Sequence, residues 1–198
     1  MHPFYVMPIT ISLFVMAFQS EANRYSILAG SLNSLIYAGV YTMFGIYGTA
    51  VQSVIFSFPV QLITFLRWNK NAYNHTVVFK KMSGKVRGLL FGGLTLLWIV
   101  LCILFINMDY EYAVLDSGST LLGFAVPIFT MLAYVEYTYL WLVHAVFIVL
   151  LNAQLVMSDY SKLPYFIYGV YSAYCIVMAY FNVRKYYKEQ QEDNSYES

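Results

Sequence analysis

The sequence predicts an all-α integral membrane protein with seven transmembrane helices, and three observations carry that prediction. Its 198 residues are 60% hydrophobic and only 11% charged, whereas a typical soluble domain is about a quarter charged. Backbone amides in hydrocarbon must be paired within the chain, which leaves helices or a closed barrel as spanning elements. The apolar runs are continuous over the roughly 17–25 residues that a spanning helix needs, and they lack the alternation of barrel strands.

Between charged and turn-forming breaks, spans are predicted near 3–19, 25–43, 49–67, 88–107, 115–135, 140–158 and 163–182. Met1 to Phe18 has the length of a signal peptide. No Lys or Arg precedes its apolar part, however, and Gln19 to Asn23 offers no clear cleavage site, so it reads as a helix. The third and fourth spans are joined by Arg67, Lys70, His75, Lys80, Lys81, Lys85 and Arg87, a basic connection that the positive-inside rule places in the cytoplasm. By parity Arg24, Arg184, Lys185 and Lys188 are also cytoplasmic, so ten of the eleven basic residues lie inside and only Lys162 outside. The predicted topology is a multi-pass cell-membrane protein with its N-terminus outside and its C-terminus in the cytoplasm. The acidic loop with Asp109, Glu111 and Asp116 falls outside.

The net charge of +1 hides this asymmetry. The basic connection is a topology signal, and no nucleic-acid partner is expected. Cys102 and Cys175 sit in separate predicted helices, too few and too far apart for a disulfide framework or metal cluster, and no cofactor is expected. The stretch from Lys188 to Ser198 is polar and reads as a disordered tail.

An offset of 115 residues pairs Phe14 with Phe129, Met16 with Met131, Glu21 with Glu136, Ala38 with Ala153, Ser57 with Ser172 and Lys70 with Lys185. Six identities over about seventy positions are near chance for this composition. The weight lies in one ungapped offset superposing span boundaries, an acidic residue in each inner loop and a basic end on each third helix. Two triplets joined by the span 88–107 make a three-plus-one-plus-three arrangement with two parallel three-helix repeats. Applied to residue 116 the offset lands on Met1, so the repeat asks for no missing leader. The expected divisions are 1–71 for the first three-helix bundle, 72–110 for the basic loop and linker helix, 111–187 for the second bundle and 188–198 for the tail.

A pathway is expected between such bundles, and polar groups at membrane depth point to where it runs. In the third span Ser53, Ser57, Gln61, Thr64 and Trp68 share one helical face. The matched seventh span offers Tyr168, Ser172, Cys175, Ala179 and Asn182. Asn33, Tyr37 and Tyr41 come from the second span, and Trp141, His144, Ile148 and Asn152 from the sixth. The proposed binding residues are Asn33, Tyr37, Ser57, Gln61, Trp141, His144, Asn152, Tyr168 and Ser172. Small polar residues such as Ser53 and Ser172 also serve helix packing, and Trp68 and Tyr186 read as interfacial belt residues. His144 could link to protons, but no buried carboxylate lies within a helix interior to make a relay, which disfavours a proton-driven pump. Pro59 and Pro127 interrupt helical bonding where a bend could gate a path.

The run Phe58-Pro59-Val60-Gln61, then Phe65 and Arg67-Trp68-Asn69-Lys70-Asn71, resembles the end of the third helix in the PnuC family of vitamin transporters. Tyr37, Tyr47-Gly48, Glu136 and Trp141 extend the resemblance over most of the chain. It implies a fold like that of the SWEET sugar facilitators and uniport of nicotinamide riboside or a related vitamin or (deoxy)nucleoside. Trapping would fall to a cytosolic kinase, with which it implies a functional link. Thiamine and riboflavin are the alternatives among relatives. Thr138 and Ala145 stand where the nicotinamide riboside branch has a second Trp and a downstream Asn, which leaves the substrate open. The other partners expected are the lipid bilayer and other copies of the chain.

Two other readings compete. An intramembrane hydrolase would use Ser119 with His144 as base, but the predicted spans place these near opposite faces, and no enzymatic activity is expected. A substrate-binding membrane subunit with an ATP-hydrolysing partner has similar size, but usually six helices.

Overall fold

A computed structural model describes residues 3–43, 47–109, 111–158, 160 and 163–196. Lys162, the predicted outer basic residue, lies outside them. The regular secondary structure of the described residues is helical apart from one small hairpin. The helices are α1 (Pro3–Ser20), α2 (Arg24–Met43), α3 (Tyr47–Gln52), α4 (Phe58–Lys70), α5 (Gly84–Asn107), α6 (Ala113–Met131), α7 (Tyr137–Ser158) and α8 (Leu163–Tyr196). A π-helical turn, Ser53–Ser57, joins α3 to α4, so the described residues form seven helices. Among the described residues, five are long and apolar enough to cross a membrane: Ala50–Lys70, Gly84–Asn107, Ala113–Met131, Tyr137–Ser158 and Leu163–Asp193.

Six of the seven helices close a ring. Contacts run from α1 to α2, α2 to α4, α4 to α6, α6 to α7, α7 to α8, and from α8 back to α1. The remaining helix, α5, stands outside it and packs on α6. None of its residues is buried, which suits a helix whose apolar side chains face hydrocarbon. Ser83 caps it, accepting from the Val86 N–H at 3.4 Å, and this starts the helix at Gly84 instead of the expected residue 88.

The third predicted span is not one regular helix. Pro59 has no N–H, and its ring crowds the carbonyl of Ile55. The chain responds with a wider turn just before it, in which the Phe58 N–H bonds to the Ser53 carbonyl. The Ser31 hydroxyl donates to the Phe58 carbonyl at 3.2 Å, tying α2 to this turn.

α1 and α6 end alike. Ala22 (φ 48) and Ala133 (φ 57) are left-handed, and the following N–H groups, of Asn23 and Tyr134, reach back to Phe18 and Phe129 at 3.2 and 3.4 Å. This ends α6 at Met131 rather than near 135. The helix ends Ser20 and Met131 are 111 residues apart, and the starts Arg24 and Tyr137 are 113 apart. The single ungapped offset of 115 therefore does not superpose these boundaries.

The connection between α4 and α5 is ordered. Ala72–Tyr73 pairs with Thr76–Val77 in a hairpin, turned through Asn74 at φ 51. Beyond it Lys80 exchanges backbone bonds of 2.9 Å with Ala133 and Val135, and the Met82 N–H donates to both Glu136 carboxylate oxygens at 3.2 Å. The polar tail is not disordered over its described part: α8 continues to Tyr196, well past the expected end near 182. Its Gln190 is buried, donating to the Val77 carbonyl and accepting from the Phe79 N–H, both at 2.9 Å. Tyr73 bonds to Asp193, and that bond raises the phenol pKa above its ordinary value. A cluster of Ile27, Trp68, Val77, Phe79, Tyr137 and Val183 fills this end of the ring.

Candidate functional site

Inside the ring lies a cavity of about 360 Å³, within the roughly 300–1,000 Å³ usual for ligand pockets. Its walls come from α1 (Met16, Gln19), α2 (Ser26, Ile27), α4 (Gln61, Thr64, Trp68), α6 (Gly123, Pro127, Thr130), α7 (Tyr137, Trp141, His144) and α8 (Tyr168, Ser172). No Asp, Glu, Lys or Arg lines it among the described residues. A second cavity of about 180 Å³ adjoins it, with Ser12, Asn33, Ser34 and Tyr37 on its wall. The two share Met16, Gln19, Gln61 and Tyr168.

The structure thus brings together seven of the nine residues expected to bind ligand. Gln61, Trp141, His144, Tyr168 and Ser172 line the larger cavity, and Asn33 and Tyr37 the smaller. Ser57 and Asn152 line neither. Ser57 is the last residue of the π-helical turn, one turn of helix before Gln61. Asn152 packs against α8, its amide nitrogen 3.1 Å from where a Cβ on Gly169 would lie.

Gln61 sits where the cavities meet. Its amide nitrogen donates to the Ser34 hydroxyl at 3.2 Å, and that hydroxyl donates in turn to the Gly30 carbonyl at 3.0 Å. A side chain at Gly30 would run into the Gln61 Oε1, so the missing Cβ makes room for the amide. Ser12 is the hub of the smaller cavity: Asn33 donates to its hydroxyl at 3.0 Å, and the Tyr37 hydroxyl lies 3.1 Å away.

Trp68 is not an interfacial belt residue. It is 2% exposed, lines the larger cavity, donates to the Thr130 carbonyl at 2.9 Å and meets the Phe79 ring edge-on at 5.8 Å. Tyr186 is half-buried, its hydroxyl 3.1 Å from the His75 ring. Nor are Ser119 and His144 far apart, since the Ser119 backbone is close enough to act on the imidazole, and a Cβ on Gly123 would lie 3.9 Å from its Nε2.

Sequence reasoning missed Ser12, Gln19, Gly30 and Ser34. Ser12, Met16 and Gln19 follow steps of four and three on α1, the same signal used for α4, inside a more apolar helix. The α6 wall was likewise unexpected. There Pro127 cannot donate to the Gly123 carbonyl and Gly123 has no side chain, so the helix presents bare backbone to the cavity.

The family model described as nicotinamide mononucleotide transporter matches residues 3–187. The chain belongs to this family. As a member of this family of PnuC transporters it is a multi-pass membrane transporter and not an enzyme. The crystal structure of the vitamin B3 transporter PnuC is similar, with a TM-score of 0.69 at 20% identity over 94% of this chain and 82% of that one. At that identity the likeness shows a common fold. None of the curated proteins compared matches the chain.

Proposed function

We propose that this transporter is a uniporter for nicotinamide riboside or a related (deoxy)nucleoside, working by facilitated diffusion between two three-helix bundles. The observation that carries the reading is this cavity, walled by Trp68, Tyr137, Trp141 and Tyr168, with no Asp, Glu, Lys or Arg on its wall among the described residues. Aromatic faces suit a planar ring, and they attract one that bears a delocalised positive charge, as a pyridinium does. The hydroxyl and amide groups of Ser12, Asn33, Ser34 and Gln61 suit a ribose. Without Lys or Arg the wall offers a phosphate no fixed positive charge, and without Asp or Glu it offers a driving cation no carboxylate.

The SWEET-like three-plus-one-plus-three reading takes α1, α2 and α3–α4 as one bundle, α6, α7 and α8 as the other, and α5 as the linker. It draws support from the peripheral position of α5 and from the matching left-handed turns at Ala22 and Ala133. The bundles touch at α4 with α6 and at α8 with α1, the seams along which rocking would open the cavity. The basic connection would face the cytoplasm, with the N-terminus outside and the C-terminus inside. A uniporter only equilibrates its substrate, so net uptake needs a cytosolic kinase to trap it.

Purified protein in liposomes tests this reading. Labelled nicotinamide riboside should equilibrate without ATP or an ion gradient, while the mononucleotide stays out. Binding without equilibration would favour a capture subunit that needs an ATP-hydrolysing partner. Preferential exchange of thiamine or riboflavin would move the substrate to another vitamin.

A further inference from the structure

The transport cavity leaves unused a groove outside the ring, between the first turns of α5 and the start of α7. Gly84, Arg87, Gly88 and Phe91 of α5 and Tyr139 of α7 line a space of about 530 Å³. A Cβ on Gly84 or Gly88 would meet nothing within 4 Å, so one wall is bare helix backbone. Farther along, α5 closes on the bundle: Trp98 donates to the Val114 carbonyl at 3.2 Å, and its ring meets Phe147 at 5.4 Å. The groove therefore lies only at the basic end.

Among the described residues the charged side chain lining the groove is Arg87, while Glu136 at the same end is buried with its carboxylate on the Met82 N–H. Arg87 stands on the groove wall and is exposed, and among the described residues no carboxylate pairs with it. Behind Tyr139 stands a second guanidinium: Arg184 bonds to the tyrosine hydroxyl and stacks over the Tyr139 and Tyr180 rings at 5.0 and 4.2 Å. A groove between membrane-spanning helices fills with lipid rather than water, and a basic rim at headgroup level selects an anionic headgroup. An arginine fork matches phosphate oxygens in pairs.

We propose that this groove binds one anionic phospholipid, its phosphate on Arg87 and an acyl chain along Gly88 and Phe91. The competing occupant, α5 of a second copy using the same glycines, is an outcome of the test.

Native mass spectrometry of the full chain, with phosphatidylglycerol and phosphatidylcholine of matched chains, reads the occupancy. Wild type should retain phosphatidylglycerol about fivefold over phosphatidylcholine, as expected for one basic contact. Arg87→Gln should abolish that preference. Gly88→Leu, which fills the groove and leaves the charge, should reduce retention of both lipids. Melting temperatures confirm that both variants fold. Equal retention of the two lipids by wild type, or an unchanged preference in Arg87→Gln, would overturn the assignment. So would a Gly88→Leu variant that changes oligomer distribution but not lipid retention, which would make the groove an interface between copies. Failure of nucleoside transport would not touch these readouts.

Discussion

Ala22 and Ala133 close the same turn at two places in the chain, each left-handed and each buried, at 3% and 6% exposure. Left-handed backbone costs an L-residue about 1–2 kcal/mol, and a β-branched side chain there is a clear outlier. Ala133→Val should therefore destabilise the protein by about 2 kcal/mol or more. Ala133→Gly should fall within about 0.5 kcal/mol of wild type, because relief of strain offsets the lost buried methyl. Melting temperatures in detergent decide it, and a wild-type value for Ala133→Val would refute the turn geometry.

Gly30 and Gly118 both exclude side chains, with different expected consequences. A Cβ at Gly30 meets the free end of the Gln61 side chain, which can swing away cheaply. Gly30→Ala should leave the melting temperature near wild type and weaken substrate binding about tenfold, by displacing an amide hydrogen bond worth about 1 kcal/mol or more. A Cβ at Gly118 would lie 2.6 Å from the Phe147 ring, which is itself held against Trp98. Gly118→Ala should cost about 1–3 kcal/mol in stability. If Gly30→Ala binds as wild type does, Gln61 is only a packing residue.

Within the cavity, Trp141→Ala should weaken binding by about 1–3 kcal/mol, the range for removing an aromatic face from a stacked base. Gln61→Ala should lose binding in the same direction, while Asn152→Ala and Ser57→Ala, outside both cavities, should bind as wild type does. Calorimetric titration with nicotinamide riboside separates the groups. Equal losses in all four would mean that the site lies elsewhere.

The helices and the basic end were legible because hydropathy and charge are summed over many residues. The polar stripe of Gln61, Thr64 and Trp68 was legible from its spacing, but spacing did not say that the cavity wall stops short of Ser57. Pro59 signals an interruption without saying that the chain will wind a wider turn, and that turn changes which residues share a face. Trp68 was misread because a belt tryptophan and a cavity tryptophan have the same neighbours in sequence, and only the Thr130 carbonyl 62 residues away tells them apart. The closure of α8 onto α1 rests on bonds such as Tyr171 to the Leu13 carbonyl at 2.9 Å and Asn182 to the Ser20 carbonyl at 2.9 Å. Such long-range pairings leave no local pattern.

The tail gives the sharpest contrast between composition and role. Lys188 to Ser198 reads as solvated chain, yet Gln190 is 3% exposed and supplies both a donor and an acceptor to the α4–α5 connection. Its partners, Val77 and Phe79, are 2% and 3% exposed, so removing the amide strands a buried carbonyl and a buried N–H together. At about 1–3 kcal/mol for each stranded group, Gln190→Ala should cost about 2–6 kcal/mol. Gln190→Glu should be intermediate, since a carboxylate still accepts from Phe79 but cannot donate to Val77. Asp193→Asn, at the solvent-exposed bond to Tyr73, should cost under about 1 kcal/mol. Hydrogen exchange localises the effect: in Gln190→Ala the amide protons of residues 76–82 should exchange faster while those of α6 stay protected. Wild-type melting and wild-type exchange in Gln190→Ala would show that the connection holds itself in place, and that α8 beyond the bundle is the passive tail its composition suggests.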